Sequence, residues 1–190
     1  MSLHHKREPK KVKEREIAPS FLLRRKMKFY HITDAYIDFL RSYDSKVAKN
    51  KHESRPYVGV VVQINDIKYY APFTSPKEKH LKMKNGKDFR KIQGGQYGAI
   101  NFNNMIPVPE SALILIDIKN ESDLKYRRLL QNQYKSIIAD LDMIITTASK
   151  LRKLVLTDDK QLSEYDRRVK SRCCNLKVLE SIYTEFEMLD

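Results

Sequence analysis

"YVGVVVQINDIKYYAPF", residues Tyr57–Phe73, holds two runs of branched and aromatic residues on either side of Asn65-Asp66. Such residues are enriched in β-strands. The two-residue connection suits a type I′ turn, although glycine is the better second residue there. This stretch therefore predicts a β-hairpin.

Strand-like and helix-like patterns surround the hairpin. Upstream, "KFYHIT" favours a strand, and "TDAYIDFLRSY" favours a short helix with Thr33 or Asp34 as its N-cap. Downstream come three short β-like runs, "YGAINF", "MIPVP" and "ALILID". From Ser122 onward, apolar residues recur every three or four positions, which predicts helices.

These patterns predict an α+β fold, with a compact, strongly twisted antiparallel sheet and C-terminal helices packed on one of its faces. With 190 residues and 41% hydrophobic content, the chain can bury one respectable core. We expect a single domain over 27–190, preceded by a basic arm over 1–26 with nine Lys/Arg and three Glu. The polar stretch Asp44–Pro56 predicts a long loop.

Charge and cysteine usage indicate the partner and the compartment. The net charge of +13 favours a polyanionic partner such as nucleic acid or an anionic membrane surface. Cys173 and Cys174 are adjacent and cannot join distant parts of a fold, which indicates a reducing compartment. No stretch approaches the roughly 20 apolar residues of a membrane span. We therefore expect a cytoplasmic protein.

Neither a metal nor a nucleotide cofactor is indicated. The five histidines and two cysteines show no HxxxH or CxxC spacing. "IQGGQYG", residues 92–98, has three glycines but lacks the lysine and hydroxyl of a P-loop. We expect no cofactor.

A basic stretch, "TSPKEKHLKMKNGKDFRK", follows the hairpin directly. Between Lys77 and Lys91 it carries seven Lys/Arg and two acids, a density that would attract a phosphodiester backbone. The candidate RNA-binding residues in this stretch are Lys79, Lys82, Lys84, Lys87, Arg90 and Lys91. A solvated basic loop explains the same composition equally well.

Thr74, Ser75 and Lys77 are candidate catalytic residues at the start of this stretch. Two hydroxyls and an ammonium can converge on phosphate oxygens, and Pro76 fixes the backbone between them. Metal-free RNA cleavage uses the 2′-hydroxyl of the RNA as nucleophile, so a protein has only to orient it, neutralise the phosphorane and move protons. His80 is a candidate acid or base. An ST-turn at the strand end is the structural alternative.

A family resemblance rests on four segments taken in order. They are "MKFYHITDAYIDFLRSYDSKV", "RPYVGVVVQINDIKYYAPFTSPKEKH", "GAINFNNMIPVPESALILID" and "YRRLLQNQYKSI". Together they resemble the endoribonuclease toxins of type III toxin–antitoxin systems, the ToxN/AbiQ group. The junction between the strand and "TSPK" is the most specific element, and "INF..MIPVP" supports it independently.

The resemblance implies a barrel-like fold similar to the MazF-type (Kid-like) toxins and metal-independent, sequence-selective RNA cleavage that leaves a 2′,3′-cyclic phosphate. The implied substrate is cellular or phage mRNA, and the setting is phage defence by abortive infection or plasmid maintenance. The implied partner is a repeat RNA antitoxin, folded as a pseudoknot, which the toxin itself processes. Toxin and RNA are expected to form a closed ring with about three copies of each.

The resemblance also implies residue roles. It places the three candidate catalytic residues on the active-site loop, and Arg55 where a basic residue assists the scissile phosphate. Some relatives have a tyrosine in the loop ahead of that basic residue. Because Asp44–Pro56 contains none, Tyr57 or Lys51 is the nearest candidate for its role in RNA binding.

Two other function classes fit parts of the sequence. A non-catalytic RNA-binding module would present aromatic residues for base stacking, and "KYYAPF" offers Tyr69, Tyr70 and Phe73. Packing in the core is the alternative for at least one of each alternating pair. A DNA-binding regulator would need a helix-turn-helix, and the C-terminal helical stretch lacks its glycine turn.

Overall fold

The computed structural model describes residues 27–50, 52, 54–64 and 66–188. The predicted arm over 1–26 and the candidate residue Lys51 lie outside the described residues. Strand β1 (Lys28–Ile32) leads into helix α1 (Asp34–Tyr43). The Thr33 hydroxyl accepts a hydrogen bond from the backbone N–H of Tyr36 at 3.4 Å, which confirms Thr33 as the N-cap.

The predicted hairpin is confirmed as strands β2 (Tyr57–Ile64) and β3 (Ile67–Thr74). The two strands pair antiparallel, with Ile64 opposite Ile67 next to the turn. Asp66 has a φ of +68°, the left-handed conformation that a type I′ turn requires. Consecutive residues of both strands are buried, among them Tyr57 and Val58 of β2 and the whole of 69–73 in β3, so the hairpin lies at the centre of the core.

Four further strands complete the sheet: β4 (Phe89–Lys91), β5 (Ala99–Asn101), β6 (Ile106–Pro107) and β7 (Leu113–Leu115). All the paired strands run antiparallel, in the order β4-β5-β3-β2-β1-β7, and β6 pairs with β3. The α+β class is confirmed. Because β4 and β7 are both edges among the described strands, the sheet is not closed into a barrel. The likeness to MazF-type toxins stays a prediction.

The helices that follow are α2 (Glu78–Lys82), α3 (Leu124–Ala139), α4 (Leu141–Leu156), α5 (Glu164–Ser171) and α6 (Leu176–Ile182). Helix α4 packs on β2, and α6 packs against β6 and α4. The Phe29 and Phe73 rings meet in the core with their centroids 4.6 Å apart. Within the described residues, the structure contains no helix of the length and apolarity needed to span a membrane.

The basic stretch from Thr74 to Lys91 is more ordered than the loop that its composition predicts. It contains the five-residue helix α2 and the three-residue strand β4. Elements this short do not complete an apolar period, so periodicity cannot reveal them. The consequence is that this stretch folds back along the sheet edge and forms one wall of a cleft.

Candidate active site

A cleft of about 490 Å³ opens at the end of β3, and we call it the β3 cleft. Its lining residues are Arg55, Thr74, Lys77, Lys79, His80, Met83, Asp88, Phe89, Asn101, Asn103 and Arg172. The fold thus brings together four of the five predicted catalytic residues. Ser75, the fifth, is exposed and follows Thr74 directly without lining the cleft.

Thr74 is held at the cleft by a close backbone approach. It pairs with Ala99 across β3 and β5, and its carbonyl oxygen would lie only 1.8 Å from a Cβ added at Gly98. Gly98 also has a φ of +94°, which side-chain-bearing residues rarely adopt. Only glycine therefore fits beside the carbonyl of Thr74.

Gln133 of α3 also helps to hold the backbone of Thr74 in place. The sequence pattern did not single it out. It is 1% exposed, and its Nε2 donates to the carbonyl of Tyr97 at 2.7 Å and to that of Thr74 at 3.4 Å. It lies between the buried residues Leu130 and Ile137 on the apolar face of the helix. A polar residue within an apolar stripe is the sequence signal that could have found it.

Arg55 reaches the cleft from the loop that precedes β2. Its Nε donates to the carbonyl of Lys49 at 2.9 Å, and its own carbonyl accepts from His31 Nδ1 at 3.3 Å. Asn50 anchors the same loop, because its Nδ2 donates to the carbonyl of Ile32 at 2.5 Å and to Asp34 Oδ1 at 2.7 Å. The long polar loop is therefore fixed by side-chain hydrogen bonds rather than by regular structure.

Two buried polar atoms at the cleft have no hydrogen-bond partner among the described residues. They are Thr74 Oγ1 and His80 Nδ1. Leaving a buried donor or acceptor unpaired costs about 1–3 kcal/mol. Because both atoms belong to residues that line the same cleft, a ligand bound there is a natural partner for them. Thr74 also lacks the hydroxyl hydrogen bond that an ST-turn would make.

His80 lies in α2, is 3% exposed, and packs with its ring centroid 5.9 Å from that of Phe89. Burial first, and then the positive charges of Lys79 and Lys77, lower the pKa of His80 below its ordinary value of 6.5. The imidazole is therefore neutral at neutral pH and able to accept a proton.

This lowered pKa predicts a pH dependence of stability. An unfolded histidine titrates near pH 6.5, and the folded one titrates lower, so below about pH 6.5 the unfolded chain binds more protons. The contribution of neutral His80 is complete above that pH and is lost as the pH falls through the folded pKa. Melting temperatures at pH 7.5 and 5.5 should thus differ more in the parent than in His80→Gln. His52→Asn, which removes a different histidine, is the control and should behave like the parent. An equal difference in melting temperature between the two pH values in the parent and in His80→Gln would contradict the lowered pKa of His80.

Lys77 and Lys79 supply positive charge at the cleft, which both residues line. Both side chains are exposed, and neither ammonium makes a hydrogen bond or ion pair with another described residue. Lys77 is the N-cap residue of α2, but its side chain makes no capping hydrogen bond. Its backbone carbonyl accepts a hydrogen bond from the N–H of His80 at 2.9 Å. The two lysine heads are therefore available to a bound anion.

The other predicted RNA-binding residues separate into two groups. Lys82 and Lys84 are exposed and lie beyond the cleft residues on the same stretch. Lys87 pairs with Asp166 of α5 at 2.5 Å, and Arg90 donates two hydrogen bonds to Asp140 at 2.7 and 3.0 Å. The Lys91 ammonium, 3.4 Å from the carbonyl of Leu81, is also partly engaged. Lys87 and Arg90 therefore tie the basic stretch to the helices.

The tyrosine assignments need correction. Tyr57 is 0% exposed, and burial raises the pKa of its phenol, so its side chain has no surface through which it could contact RNA. Tyr69, Tyr70 and Phe73 are each 2% exposed or less, so the base-stacking platform is not present. Tyr69 is instead hydrogen-bonded to the partly buried ion pair of Arg152 and Glu180, which the sequence did not indicate.

A larger cleft of about 680 Å³ lies among the C-terminal helices, and its lining includes Lys46, Asp159, Lys170, Cys173 and Cys174. None of the predicted catalytic residues lines it. Lys170 and Asp159 pair with each other at 2.7 Å. Burial raises the pKa of the Cys173 thiol to about 12. A thiol with so high a pKa is inert at neutral pH. The smaller β3 cleft is therefore the better candidate for chemistry.

Comparison with known proteins agrees with the resemblance seen in the sequence. Endoribonuclease ToxN of Bacillus thuringiensis subsp. kurstaki is 36% identical over 167 residues, which cover 86% of this chain and 86% of that protein. A solved structure that concerns selective toxin inhibition by a non-coding RNA pseudoknot in type III systems is 34% identical, with a TM-score of 0.75. The match covers 85% of this chain and 98% of that one.

A second solved structure is that of AbiQ, described as a lactococcal anti-phage endoribonuclease of a type III toxin–antitoxin system. It is 26% identical with a TM-score of 0.69, and the match covers 85% of this chain and 98% of that one. The family model for "Toxin ToxN, type III toxin-antitoxin system" matches residues 28–184, which include all the strands and α-helices that the structure describes and the β3 cleft. The chain belongs to the ToxN family of type III toxin–antitoxin toxins.

Proposed function

We propose that the chain is a metal-independent endoribonuclease toxin whose active site is the β3 cleft. One observation carries this proposal: Thr74 Oγ1 and His80 Nδ1 are buried without a described partner in a cleft that also holds Arg55 and Lys77. Hydroxyl, imidazole and cationic groups are what a phosphodiester needs for transesterification. The family relatives that bear the name endoribonuclease support the same chemistry.

In the proposed reaction, the 2′-oxygen attacks the adjacent phosphorus, and the bond from phosphorus to the 5′-oxygen breaks. His80, held neutral by burial, accepts the proton of the 2′-hydroxyl. Thr74 donates a hydrogen bond to a non-bridging oxygen, and Arg55 and Lys77 neutralise the charge that develops on the phosphorane. A phosphate contact of Ser75, which does not line the cleft, stays a prediction. A water molecule protonates the leaving 5′-oxygen, and the proton held by His80 returns to the hydroxide that this leaves, so the products are a 5′-hydroxyl and a 2′,3′-cyclic phosphate.

The proposal extends to a partner and a setting. A folded RNA, such as the pseudoknot of the related complex, would occupy the cleft and the exposed lysines beside it, and so would hold the toxin inactive. In a closed ring of about three toxins and three RNAs, each RNA would bridge two neighbouring toxins, so that no toxin–RNA interface would be left open. Cleavage of cellular or phage mRNA would take place in the cytoplasm and would serve phage defence or plasmid maintenance.

Incubation of the purified chain with an A-rich RNA in EDTA tests the proposed activity. Cleavage that proceeds in EDTA supports a metal-independent enzyme. A shift of the RNA on a native gel without any cleavage would instead show a non-catalytic RNA-binding module. Cleavage that appears only when a divalent metal is added back would contradict the proposed chemistry.

The exposed lysines beyond the cleft predict a salt effect. The double substitution Lys82→Glu with Lys84→Glu should weaken the RNA antitoxin, and each lost phosphate contact should reduce the slope of log K against log salt by about 0.7 to 0.9. Titrations at several salt concentrations measure this slope. The control, Lys119→Glu with Lys125→Glu, makes the same charge change at two exposed lysines outside the basic stretch from Thr74 to Lys91. An unchanged slope in the first variant, or an equal change in the control, would place the RNA elsewhere.

A further inference from the structure

The larger cleft among the C-terminal helices, which we call the C-terminal cleft, carries a net positive charge. Its charged lining residues are Lys46, Asp158, Asp159, Arg167, Lys170 and Lys177. The fold itself uses two of the four cations, because Lys170 pairs with Asp159 and Arg167 donates to backbone carbonyls at 2.9 and 3.3 Å. The other two, Lys46 and Lys177, are exposed, and neither ammonium forms a hydrogen bond or ion pair with another described residue. Two positive charges are therefore available to a bound anion.

Asp44 ties the two sides of the C-terminal cleft together. It is 9% exposed, and its Oδ1 accepts from the backbone N–H of Lys46 at 3.0 Å. Its Oδ2 accepts from the backbone N–H of Asn175 at 2.6 Å. One carboxylate thus joins the loop that follows α1 to the start of α6, the helix that carries Lys177. The two available lysines therefore extend from backbone segments that are held together.

The floor of the C-terminal cleft is apolar and uncharged. It includes Val155, Cys173 and Cys174, each 6% exposed or less. Burial raises the pKa of both thiols, so neither carries the negative charge that would repel a phosphate at neutral pH. The volume of about 680 Å³ is in the range of sites that hold a small ligand. An apolar floor beside two ammonium groups suits the ribose and phosphate of one nucleotide unit.

A single backbone segment separates the C-terminal cleft from the β3 cleft. Arg172 lines the β3 cleft, and the two residues that follow it line the C-terminal cleft. The N–H of Cys174 donates to the carbonyl of Asn103, a residue of the β3 cleft, at 2.9 Å. Arg172 adds a cation to this wall, where two hydrogen bonds of 2.9 and 3.0 Å to Asp88 hold it. A strand that leaves the β3 cleft on this side therefore meets the C-terminal cleft next.

From these observations, and resting on the proposed function, we infer that the C-terminal cleft binds a backbone phosphate of the RNA strand that continues from the β3 cleft. Lys46 and Lys177 contact the non-bridging oxygens of that phosphate. Contacts between lysine and phosphate carry no sequence information, so this site adds affinity for a longer RNA. The shared wall with the β3 cleft favours a continuous strand over a free nucleotide, which has no need of a neighbouring site.

Binding of short and extended RNAs tests this inference. Each RNA carries a 2′-deoxy nucleotide at a mapped cut, so that it stays whole. The short RNA has about four nucleotides, and two others have about eight more on the 5′ or the 3′ side. The parent should bind one extended RNA more tightly than the short one.

Lys46→Ala with Lys177→Ala should weaken the binding of that extended RNA and leave the binding of the short RNA unchanged. The slope of log K against log salt for the extended RNA should fall by about 1.4, since each lost contact with a single strand contributes about 0.7. Between about 50 and 200 mM salt, the parent should therefore lose about sevenfold more affinity than the variant.

Lys119→Ala with Lys125→Ala is the matched control, because these exposed lysines line neither cleft. It should keep the salt dependence of the parent. The inference is overturned if neither extension strengthens binding, if the variant loses equal affinity for short and extended RNA, or if the control loses as much. Binding of adenosine monophosphate without any gain from an extension would also overturn it. A parent that gains from the extension but never cuts the matching all-ribose RNA would overturn the proposed function instead.

Discussion

Lys77→Ala is expected to lower the single-turnover rate of RNA cleavage about a hundredfold at saturating RNA, with no loss of melting temperature. The rate falls because an ammonium that opposes charge developing in the transition state is worth that much when it is removed. Stability is kept because the side chain is exposed and makes no hydrogen bond or ion pair with another described residue. Rapid-quench cleavage beside a thermal melt measures both quantities.

Lys125→Ala is the control for Lys77, since it removes an exposed lysine outside the β3 cleft. It should cut RNA at the parental rate. Lys77→Arg keeps the positive charge and should recover part of the lost rate. A folded Lys77→Ala protein that cuts at the rate of the parent would remove Lys77 from the mechanism.

Gly98→Ala is expected to lower both stability and cleavage. The added Cβ would lie 1.8 Å from the carbonyl oxygen of Thr74 and 3.0 Å from the carbonyl carbon of Ser75. Relief of this overlap must shift the end of β3, at a cost of about 1–3 kcal/mol in the free energy of unfolding. A displacement of about 1 Å at the reacting groups can lower the rate by about a hundredfold. Denaturant unfolding and single-turnover cleavage measure the two effects.

Gly94→Ala separates backbone strain from the close approach. Gly94 also has a positive φ, +64°, but nothing lies within 4 Å of its added Cβ. We expect this variant to lose about 1 kcal/mol of stability, from the left-handed backbone alone, and to keep its cleavage rate. Similar cleavage rates for Gly98→Ala and Gly94→Ala would show that the close contact between Gly98 and the carbonyl of Thr74 does not position the catalytic residues.

The hairpin and the long helices could be predicted because their signals are local. Branched residues on both sides of Asn65-Asp66 define β2 and β3, and the three-to-four period after Ser122 defines α3 and α4. Helix α2 and strand β4 could not be predicted, since each is too short to show a period. The family resemblance implied a barrel-like sheet, but the described strands do not close into a barrel. Closure depends on how distant sheet edges meet, which no local pattern reports.

From the residue pattern alone, the candidate site could be predicted only where its residues are neighbours in the chain, whereas Arg55 was placed there by the family resemblance. Thr74 and Lys77 stand three residues apart, so their juxtaposition is visible in the sequence. Asn101 and Gln133 reach the same place only through strand pairing and helix packing, and no spacing rule connects them to Thr74. Arg90, a basic residue in the basic stretch, is paired with Asp140, which the sequence did not indicate.

Attack by the 2′-hydroxyl is tested most directly with an RNA that carries a single 2′-deoxy nucleotide on the 5′ side of a mapped cut. The all-ribose RNA should be cut in EDTA to a 2′,3′-cyclic phosphate and a 5′-hydroxyl, and the deoxy-substituted RNA should stay intact at that bond. Mass spectrometry of the fragments identifies the ends. Cleavage of the deoxy-substituted bond, or a product that ends in a 3′-hydroxyl, would contradict the mechanism.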